Sequence, residues 1–234
     1  MPIPAPARHR MSVILAMDCS VADLSAAIVR DGRPLMHLSE AGREQSSRLL
    51  PAIERLLAGA AIERSEIDLV AVTIGPGSFT GVRVGLAAAH GLAIGLGVPL
   101  AGLLTTAVLL AQVPTTPRLK VAAIDSRLGD WFCAIEGEAT PFLISSRSLA
   151  ERLQGQACLV IGAGAALLAD ELVKAGSDAV AQEALPDAIT LARLAGATGT
   201  AGWRVRNAHE GLPRPLYLRG VNITLPDGSR RTVE

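Results

Sequence analysis

Val70-Ala71-Val72-Thr73-Ile74-Gly75-Pro76-Gly77-Ser78-Phe79-Thr80-Gly81-Val82-Arg83-Val84-Gly85 decides the reading of this chain. Val70 to Ile74 are β-branched or small apolar residues, the composition of a buried strand. Gly75, Pro76 and Gly77 stop that strand, Ser78 stands where an N-cap belongs, and an apolar helical pattern runs from residue 79 to about Leu96. A strand, a glycine turn and a helix in that order leave unpaired backbone N–H groups at the helix start. With the helix dipole, those groups suit an anion or a tight protein contact. The turn is not a Walker loop, because no Gly-Lys-Ser/Thr follows it. Nor is it the dinucleotide fingerprint: the run Gly75-x-Gly77-x-x-x-Gly81 is too long, and no acidic residue stands the required distance downstream.

The helix carries its glycines in a row. Gly77, Gly81 and Gly85 are four apart, Ala88 continues the row, and Gly91 and Gly95 are again four apart. Residues at that spacing share a helix face. Each interior glycine costs roughly 0.5–1 kcal/mol relative to alanine, so several together imply a compensating close approach of another backbone. Two readings stay open: packing on the chain's own sheet, or packing on a helix of another chain. On the second reading, Gly85→Arg breaks subunit association and leaves the fold intact. A second helix, read at 43–57, carries Leu49, Leu50, Ile53, Leu56 and Leu57 on one stripe and Arg43, Glu44, Arg48, Glu54 and Arg55 on its polar face. That polar face flanks such an interface or meets water.

Composition narrows the classes. Half of the 234 residues are hydrophobic, aromatics are only 3%, and 22 basic residues balance 22 acidic ones. The core is therefore built from Ala, Leu, Val and Ile. A neutral chain is a poor holder of nucleic acid on its own, because phosphate contacts need clustered positive charge. The mildly basic end, with Arg204, Arg206, Arg214, Arg219, Arg230 and Arg231, reads as a solvated tail. Cys19, Cys133 and Cys158 are scattered and form no CxxC pair, so neither a disulfide framework nor a zinc site is expected. Residues 1–11 read as a flexible extension without a signal peptide's apolar stretch. Val84 to Leu104 carries no charged residue, yet Pro99 and five glycines (85, 91, 95, 97, 102) argue for a helix followed by a strand rather than a membrane span. The expectation is a cytoplasmic protein with no membrane contact.

The pattern of the first half recurs. Val13 to Met17 is an apolar strand ending at Asp18, followed by strands at 24–29 and 34–39. After Pro114 to Pro117, Leu119 to Ile124 is an apolar strand ending at Asp125, followed by strands at 131–136 and 141–144. Two halves, 12–113 and 118–234, that each open with hairpin strands and go on to alternate strands and helices predict a duplicated α/β architecture. Further expected elements are helices at 105–112, 149–153, 165–174 and 190–201, with Thr105 or Thr106 capping the first of these, and a strand at 157–161. Asp18 and Asp125 fall where strand ends meet, the usual ligand address in α/β folds. Two readings are open here too: the carboxylates position Mg²⁺ with a nucleotide, or each caps its own turn. On the first, Asp18, Ser20, Gly75, Gly77, Asp125, Gly162 and Gly164 form the nucleotide site.

Catalytic constellations are thin. His9, His37, His90 and His209 include no i, i+4 pair, and no Gly-x-Ser-x-Gly elbow occurs. Neither a nucleophile nor a metal site is identified.

Several runs carry a family resemblance: Ile14-Leu15-Ala16-Met17-Asp18, Arg48-Leu49-Leu50-Pro51, Gly75 to Gly85, Gly91-Leu92-Ala93, Ala122 to Arg127, and Pro215-Leu216-Tyr217-Leu218-Arg219. Over about residues 12–222 the chain resembles the YeaZ-type dimerisation subunits of bacterial tRNA threonylcarbamoyladenosine biosynthesis. The resemblance implies an actin-like, Hsp70-like (ASKHA) duplicated α/β fold of two lobes with mixed sheets. It implies a non-catalytic scaffold that binds and activates a metal-dependent threonylcarbamoyl transferase paralogue, modifying the adenosine beside the anticodon. An ATPase subunit of the same complex is a further implied partner. A homodimer forms when the chain is alone, and tRNA is met only through the complex. The family's contact is built by the helices at 43–57 and 79–96, which carries over to Arg48, Leu49, Ala52, Gly77, Ser78, Phe79, Thr80, Gly81, Arg83, Gly85, Ala88 and His90. No metal and no cofactor of its own is implied, with ATP or ADP and Mg the exception to test. The chain departs from the family in Cys19, where threonine is common, and in Gln45-Ser46, where a histidine often precedes the helix. The alternatives are an actin-fold ATPase or kinase acting alone through Asp18, Asp125 and Gly162 to Gly164, and, more remotely, a peptidase.

Overall fold

The computed structural model describes residues 12–42, 44–219, 221–224 and 230–233. The expected extension at 1–11, with His9, and the expected helix-start residue Arg43 lie outside them, as do the side chains of Arg230 and Arg231.

The first half runs β1 (Val13–Asp18), β2 (Leu24–Arg30), β3 (Arg33–Glu40), α1 (Gln45–Ala60), a 3-10 turn (Arg64–Glu66), β4 (Leu69–Thr73), α2 (Phe79–Leu96), β5 (Leu100–Leu103) and α3 (Thr105–Ala111). The second runs β6 (Leu119–Asp125), β7 (Trp131–Ile135), β8 (Phe142–Ile144), α4 (Ser146–Leu153), β9 (Cys158–Gly162), α5 (Ala165–Lys174), β10 (Ala179–Glu183) and α6 (Ala188–Glu210). A short antiparallel pair, β11 (Val221–Thr224) and β12 (Arg230–Val233), follows.

The duplication is visible strand by strand. One sheet has the order β3-β2-β1-β4-β5, the other β8-β7-β6-β9-β10. In each, the opening three strands are antiparallel and the last two join in parallel. Parallel central strands are covered on both faces, and β1, β4 and β6 are accordingly buried without alternation. This is the expected duplicated α/β fold with a mixed sheet in each half.

The two halves do not each keep their last helix. α1 and α2 cover one face of the first sheet, with Leu49, Ile53, Leu56, Val82 and Leu86 in one core cluster. The other face, with Ile14, Ala16, Val29 and Ala71, is covered by α6, whose Leu191, Ala192, Ala195 and Trp203 complete that core. Conversely, Leu109 of α3 is buried with Ala122, Ile124 and Ile161 of the second sheet. Lobe and sequence half therefore differ: residues 188–210 of the 118–234 half belong spatially with the first sheet.

Several boundaries moved for physical reasons. The last helix, expected at 190–201, is broken at Gly199, close to its expected end, and a further helical stretch that was not expected carries α6 on to Glu210. Gly199 sits at φ 73°, and the Trp203 indole N–H donates to the Ala195 carbonyl at 2.9 Å across the kink. α3 has Leu104 at its N-cap position with no side-chain cap; Thr105 and Thr106 instead point inward, their hydroxyls buried without a partner among the described residues. β10, an exposed edge strand, carries no apolar alternation and was not expected. α2 is long and apolar enough to cross a membrane, but it lies on the first sheet with Val82, Leu86, Ala89 and Ala93 in the core.

Candidate functional site

The deciding stretch folds as its residues dictate. β4 ends at Thr73, the glycine turn follows, and Ser78 caps α2 by accepting from the Gly81 N–H at 3.2 Å. The turn is pressed against the end of β1. A Cβ on Gly81 would stand 1.9 Å from the Cys19 carbonyl oxygen, and one on Gly77 would stand 2.0 Å from that of Ser20. The Ser78 N–H donates to the Ser20 carbonyl at 2.7 Å. These glycines are explained within the chain.

The chain's C-terminal segment crosses this turn. The Leu216 N–H donates to the Ile74 carbonyl at 2.7 Å, and the Pro213 carbonyl lies 2.9 Å from His90 Nε2. Arg83 Nε donates to the Tyr217 hydroxyl at 2.7 Å, and its guanidinium lies 3.5 Å over the Phe79 ring. Arg219 pairs with Asp130 of the second lobe.

The proposed contact residues fall into distinct environments. Leu49, Ala52, Gly81 and Gly85 are buried in the chain's own interior and are not surface residues. Gly85 faces Val72 and Cys19: a Cβ there already meets Val72 Cγ2 at 3.4 Å. The expectation that Gly85→Arg spares the fold is therefore withdrawn, since the rest of an arginine side chain has no space. Gly77 faces Ser20, Ala88 is half-buried, and His90 is half-buried on Pro213. Arg48 pairs with Glu40 at 2.6 Å and donates to the Ala41 carbonyl. Ser78, Phe79, Thr80 and Arg83 are exposed.

The outer faces hold residues that the glycine row did not mark. On α2, Ala87, Gly91 and Gly95 are exposed and Ile94 is 71% exposed; no heavy atom lies within 4 Å of a Cβ built on Gly91 or Gly95. On the adjoining α1, Leu50 is 54% exposed, not on the inner stripe as expected, and is followed by exposed Pro51. Arg55 and Arg48 converge on Glu40 at the rim. Burial raises the Glu40 carboxyl, but hydrogen bonds and charge from the two arginines outweigh it and hold it below the usual range. The result is an apolar, small-residue helix face with a charged edge, the composition of an interface core and rim.

The nucleotide expectation meets committed residues. Asp18 is buried and its Oδ1 accepts from the Ser20 N–H, the Ser20 hydroxyl and the Thr73 hydroxyl. Burial pushes its carboxyl up to about 6 against those hydrogen bonds. Asp125 accepts from the Arg127 N–H at 2.6 Å, the turn-capping role. The N-terminus of α5 is filled by the chain itself: the Glu183 carboxylate accepts from the Gly164 N–H at 3.0 Å and the Ala166 N–H at 2.9 Å. Gly162 is packed against the Ala123 carbonyl. The amides a phosphate needs are thus taken by Ser78 and Glu183, and the residues present do not fit a nucleotide's phosphates in this arrangement.

A family model described as TsaD, tRNA N6-adenosine threonylcarbamoyltransferase, matches residues 38–140. The tRNA threonylcarbamoyladenosine biosynthesis protein TsaB of Escherichia coli K12 is 33% identical over 153 residues, covering 60% of this chain and 66% of that protein. TsaB of Haemophilus influenzae is 36% identical over 121 residues, covering 50% of each. The solved structure of YeaZ from Pseudomonas aeruginosa superposes with a TM-score of 0.71 at 27% identity, covering 89% of this chain and all of that one. The chain belongs to the TsaB/YeaZ family. Its matches span just under two thirds of the first of those curated relatives and half of the second.

Proposed function

We propose that this chain is the non-catalytic dimerisation subunit of a tRNA threonylcarbamoyladenosine-forming complex. In this reading it docks the metal-dependent threonylcarbamoyl transferase paralogue on the outer face of α1 and α2 and pairs with itself when that partner is absent. An ATPase subunit joins the same assembly, and tRNA is met through the complex.

The observation that carries the reading is the exposed row Ala87, Gly91, Ile94 and Gly95 on α2 beside Leu50 on α1. Small residues let a partner helix approach closely, and the two large aliphatic side chains supply the buried area. The match of residues 38–140 to the transferase model supports a paralogous partner, since that stretch contains both helices. The scaffold role is supported by histidines that either serve structure, as His90 on Pro213 and His37 on Ser25 do, or stand alone in sequence.

The test pairs the purified chain with the transferase paralogue of the same genome. Ile94→Arg is expected to abolish co-elution and to fail to restore threonylcarbamoyladenosine in tRNA of depleted cells, while wild type restores it. Unchanged co-elution, or normal nucleoside levels after depletion, overturns the reading.

A further inference from the structure

Three Phe, two Trp and one Tyr are the whole aromatic content of the chain. The two tryptophans are buried, and Phe132 and Phe142 are half-buried. Phe79 and Tyr217 are not: they are 41% and 40% exposed, and they stand together with ring centroids 5.4 Å apart. Arg83 joins them, its guanidinium 3.5 Å over the Phe79 ring and 5.5 Å from the centroid of Tyr217. Its Nε donates to the Tyr217 hydroxyl, and its two Nη groups meet no acceptor among the described residues. Phe79 and Arg83 share the flank of α2 that carries His90 and the C-terminal segment. They stand beside the row of Ala87, Gly91, Ile94 and Gly95 rather than on it.

A second observation lies next to this cluster. Two residues beyond Tyr217, Arg219 pairs with Asp130 at 2.5 Å and ties the cluster to the turn between β6 and β7. That turn is held in one shape. Asp125 Oδ1 accepts from the Arg127 N–H at 2.6 Å, Ser126 Oγ accepts from the Leu128 N–H at 3.3 Å, and the Ser126 N–H donates to the Asp130 carbonyl at 3.1 Å. In this shape Arg127 has a φ of 59°, a region that arginine rarely occupies. Its guanidinium is exposed and meets no acceptor among the described residues. Backbone strain of this kind clusters where a side chain has a use, and neither the core nor the α1–α2 face uses this one. The two carboxylates of the turn are engaged, Asp130 by Arg219 and Asp125 by the Arg127 amide, while Arg83 and Arg127 are not. The surface therefore presents cationic donors and aromatic faces.

We propose that this surface binds unpaired RNA, with a base stacked on Tyr217 and Arg83 and backbone phosphates held by Arg83 and Arg127. A single strand answers every part of the surface at once. Its phosphates pair with guanidiniums, and its planar bases stack on aromatic rings and on arginine planes. One plane of the Arg83 guanidinium lies against Phe79, which leaves the other plane and the Tyr217 ring as platforms. A regular duplex hides its base faces, so the occupant is a loop or another unpaired segment. The reading above supplies the source, a tRNA anticodon loop, and the proposal rests on that reading for this alone. A chain without net charge holds RNA weakly by itself, so the contact adds to the grip of an assembly.

Fluorescence anisotropy of a labelled anticodon stem-loop RNA, titrated with the full chain in the absence of the paralogue, tests this. An RNA duplex of the same length and ATP are the comparisons. The stem-loop is expected to bind with a Kd of about 10⁻⁴ M at physiological salt, and the duplex about tenfold more weakly, the worth of one base stack. Tyr217→Leu removes the platform and is expected to weaken the stem-loop about tenfold and leave the duplex unchanged. Arg127→Asn keeps a residue that tolerates positive φ. It is expected to lower the slope of log Kd against log salt by ~0.7 for the stem-loop, one single-strand phosphate contact. Both altered side chains are exposed, so both variants are expected to keep the wild-type circular dichroism spectrum. Equal binding of stem-loop and duplex, ATP bound more tightly than the stem-loop, no saturable RNA binding, or either variant binding the stem-loop as wild type each overturn the proposal. Loss of co-elution with the paralogue in both variants, with RNA binding unchanged, also overturns it and assigns the surface to a protein. The titration omits the paralogue, so it can fail while the α1–α2 docking face holds, and hold while that face fails.

Discussion

Gly91→Arg separates the docking face from the fold. Gly91 lies in the body of α2, is exposed, and has no heavy atom within 4 Å of the place where a Cβ would stand. Arginine there clashes with nothing in its own chain. Glycine is about 0.8–1.0 kcal/mol worse than alanine in a helix interior and arginine is close to alanine, so the free chain gains about 0.8 kcal/mol. For a chain of this length that raises Tm by ~2 °C. At a closely packed helix seam the same guanidinium is buried without a partner, at about 3 kcal/mol or more, a loss of ~100-fold in Kd. Differential scanning fluorimetry reads the first effect and sedimentation velocity, alone and with the paralogue, reads the second. A variant that is more stable yet dissociated is the expected outcome. One that associates within threefold of wild type refutes the argument that this row is the contact. Gly85→Arg cannot make the distinction, because its side chain must displace Val72 and Cys19 and the fold is lost along with any interface.

Ser78→Ala removes the hydroxyl that accepts from the Gly81 N–H and is expected to cost about 1 kcal/mol, read as a lower urea midpoint with an unchanged m-value. Trp203→Ala empties a buried site shared by α6 and the first sheet and is expected to cost about 3–5 kcal/mol, seen in the same titration. Asp18 has its folded pKa raised from 3.8 to about 6, so the stability it contributes is present below pH 4 and lost as pH rises through 6. The loss totals about 3 kcal/mol above pH 7 at ~1.36 kcal/mol per unit, roughly half of it complete by pH 5. Asp18→Asn, which can keep the three donors to its oxygen, is therefore expected to gain on wild type by about 1.4 kcal/mol more at pH 8 than at pH 5; a constant difference rejects the desolvation account. A fragment of residues 12–113 lacks α6 and exposes Ile14, Ala16, Val29 and Ala71, so it is expected to bind hydrophobic dye and to melt without cooperativity by circular dichroism.

The strand-turn-helix stretch was legible because each signal in it agrees with the others. Apolar β4, the glycine turn, the Ser78 cap and α2 all appear where the residues place them, α2 with both ends as expected. The duplication was legible from two apolar strands each ending in aspartate. What the glycines meant was not. A row of small residues says that something approaches closely, and the sequence does not distinguish a carbonyl of Cys19 from a helix of another chain. The structure divides the row: Gly77, Gly81 and Gly85 face inward, Gly91 and Gly95 outward. Leu50 shows the same limit, since one leucine in an apolar helix stretch is assigned inward by composition and outward only by the 100° step from Leu49. Glu183, Tyr217 and the Thr73 hydroxyl on Asp18 join segments far apart in sequence, and no local pattern announces such meetings.

The exchanged helices also bear on how the chain could serve as a scaffold. Because α6 closes the first sheet and α3 lies under the second, neither lobe completes its core without the other half of the chain. The C-terminal segment adds a further tie, passing from α6 over the glycine turn to Arg83 and on to Asp130 of the second lobe. Movement of one lobe against the other therefore strains contacts that end at Ile74, His90 and Arg83, either in α2 or beside its first turn. A docking face on α1 and α2 consequently rests on a braced support rather than on a hinge. Such preorganisation lowers the ordering cost of association, which is what the proposed docking role requires of this face.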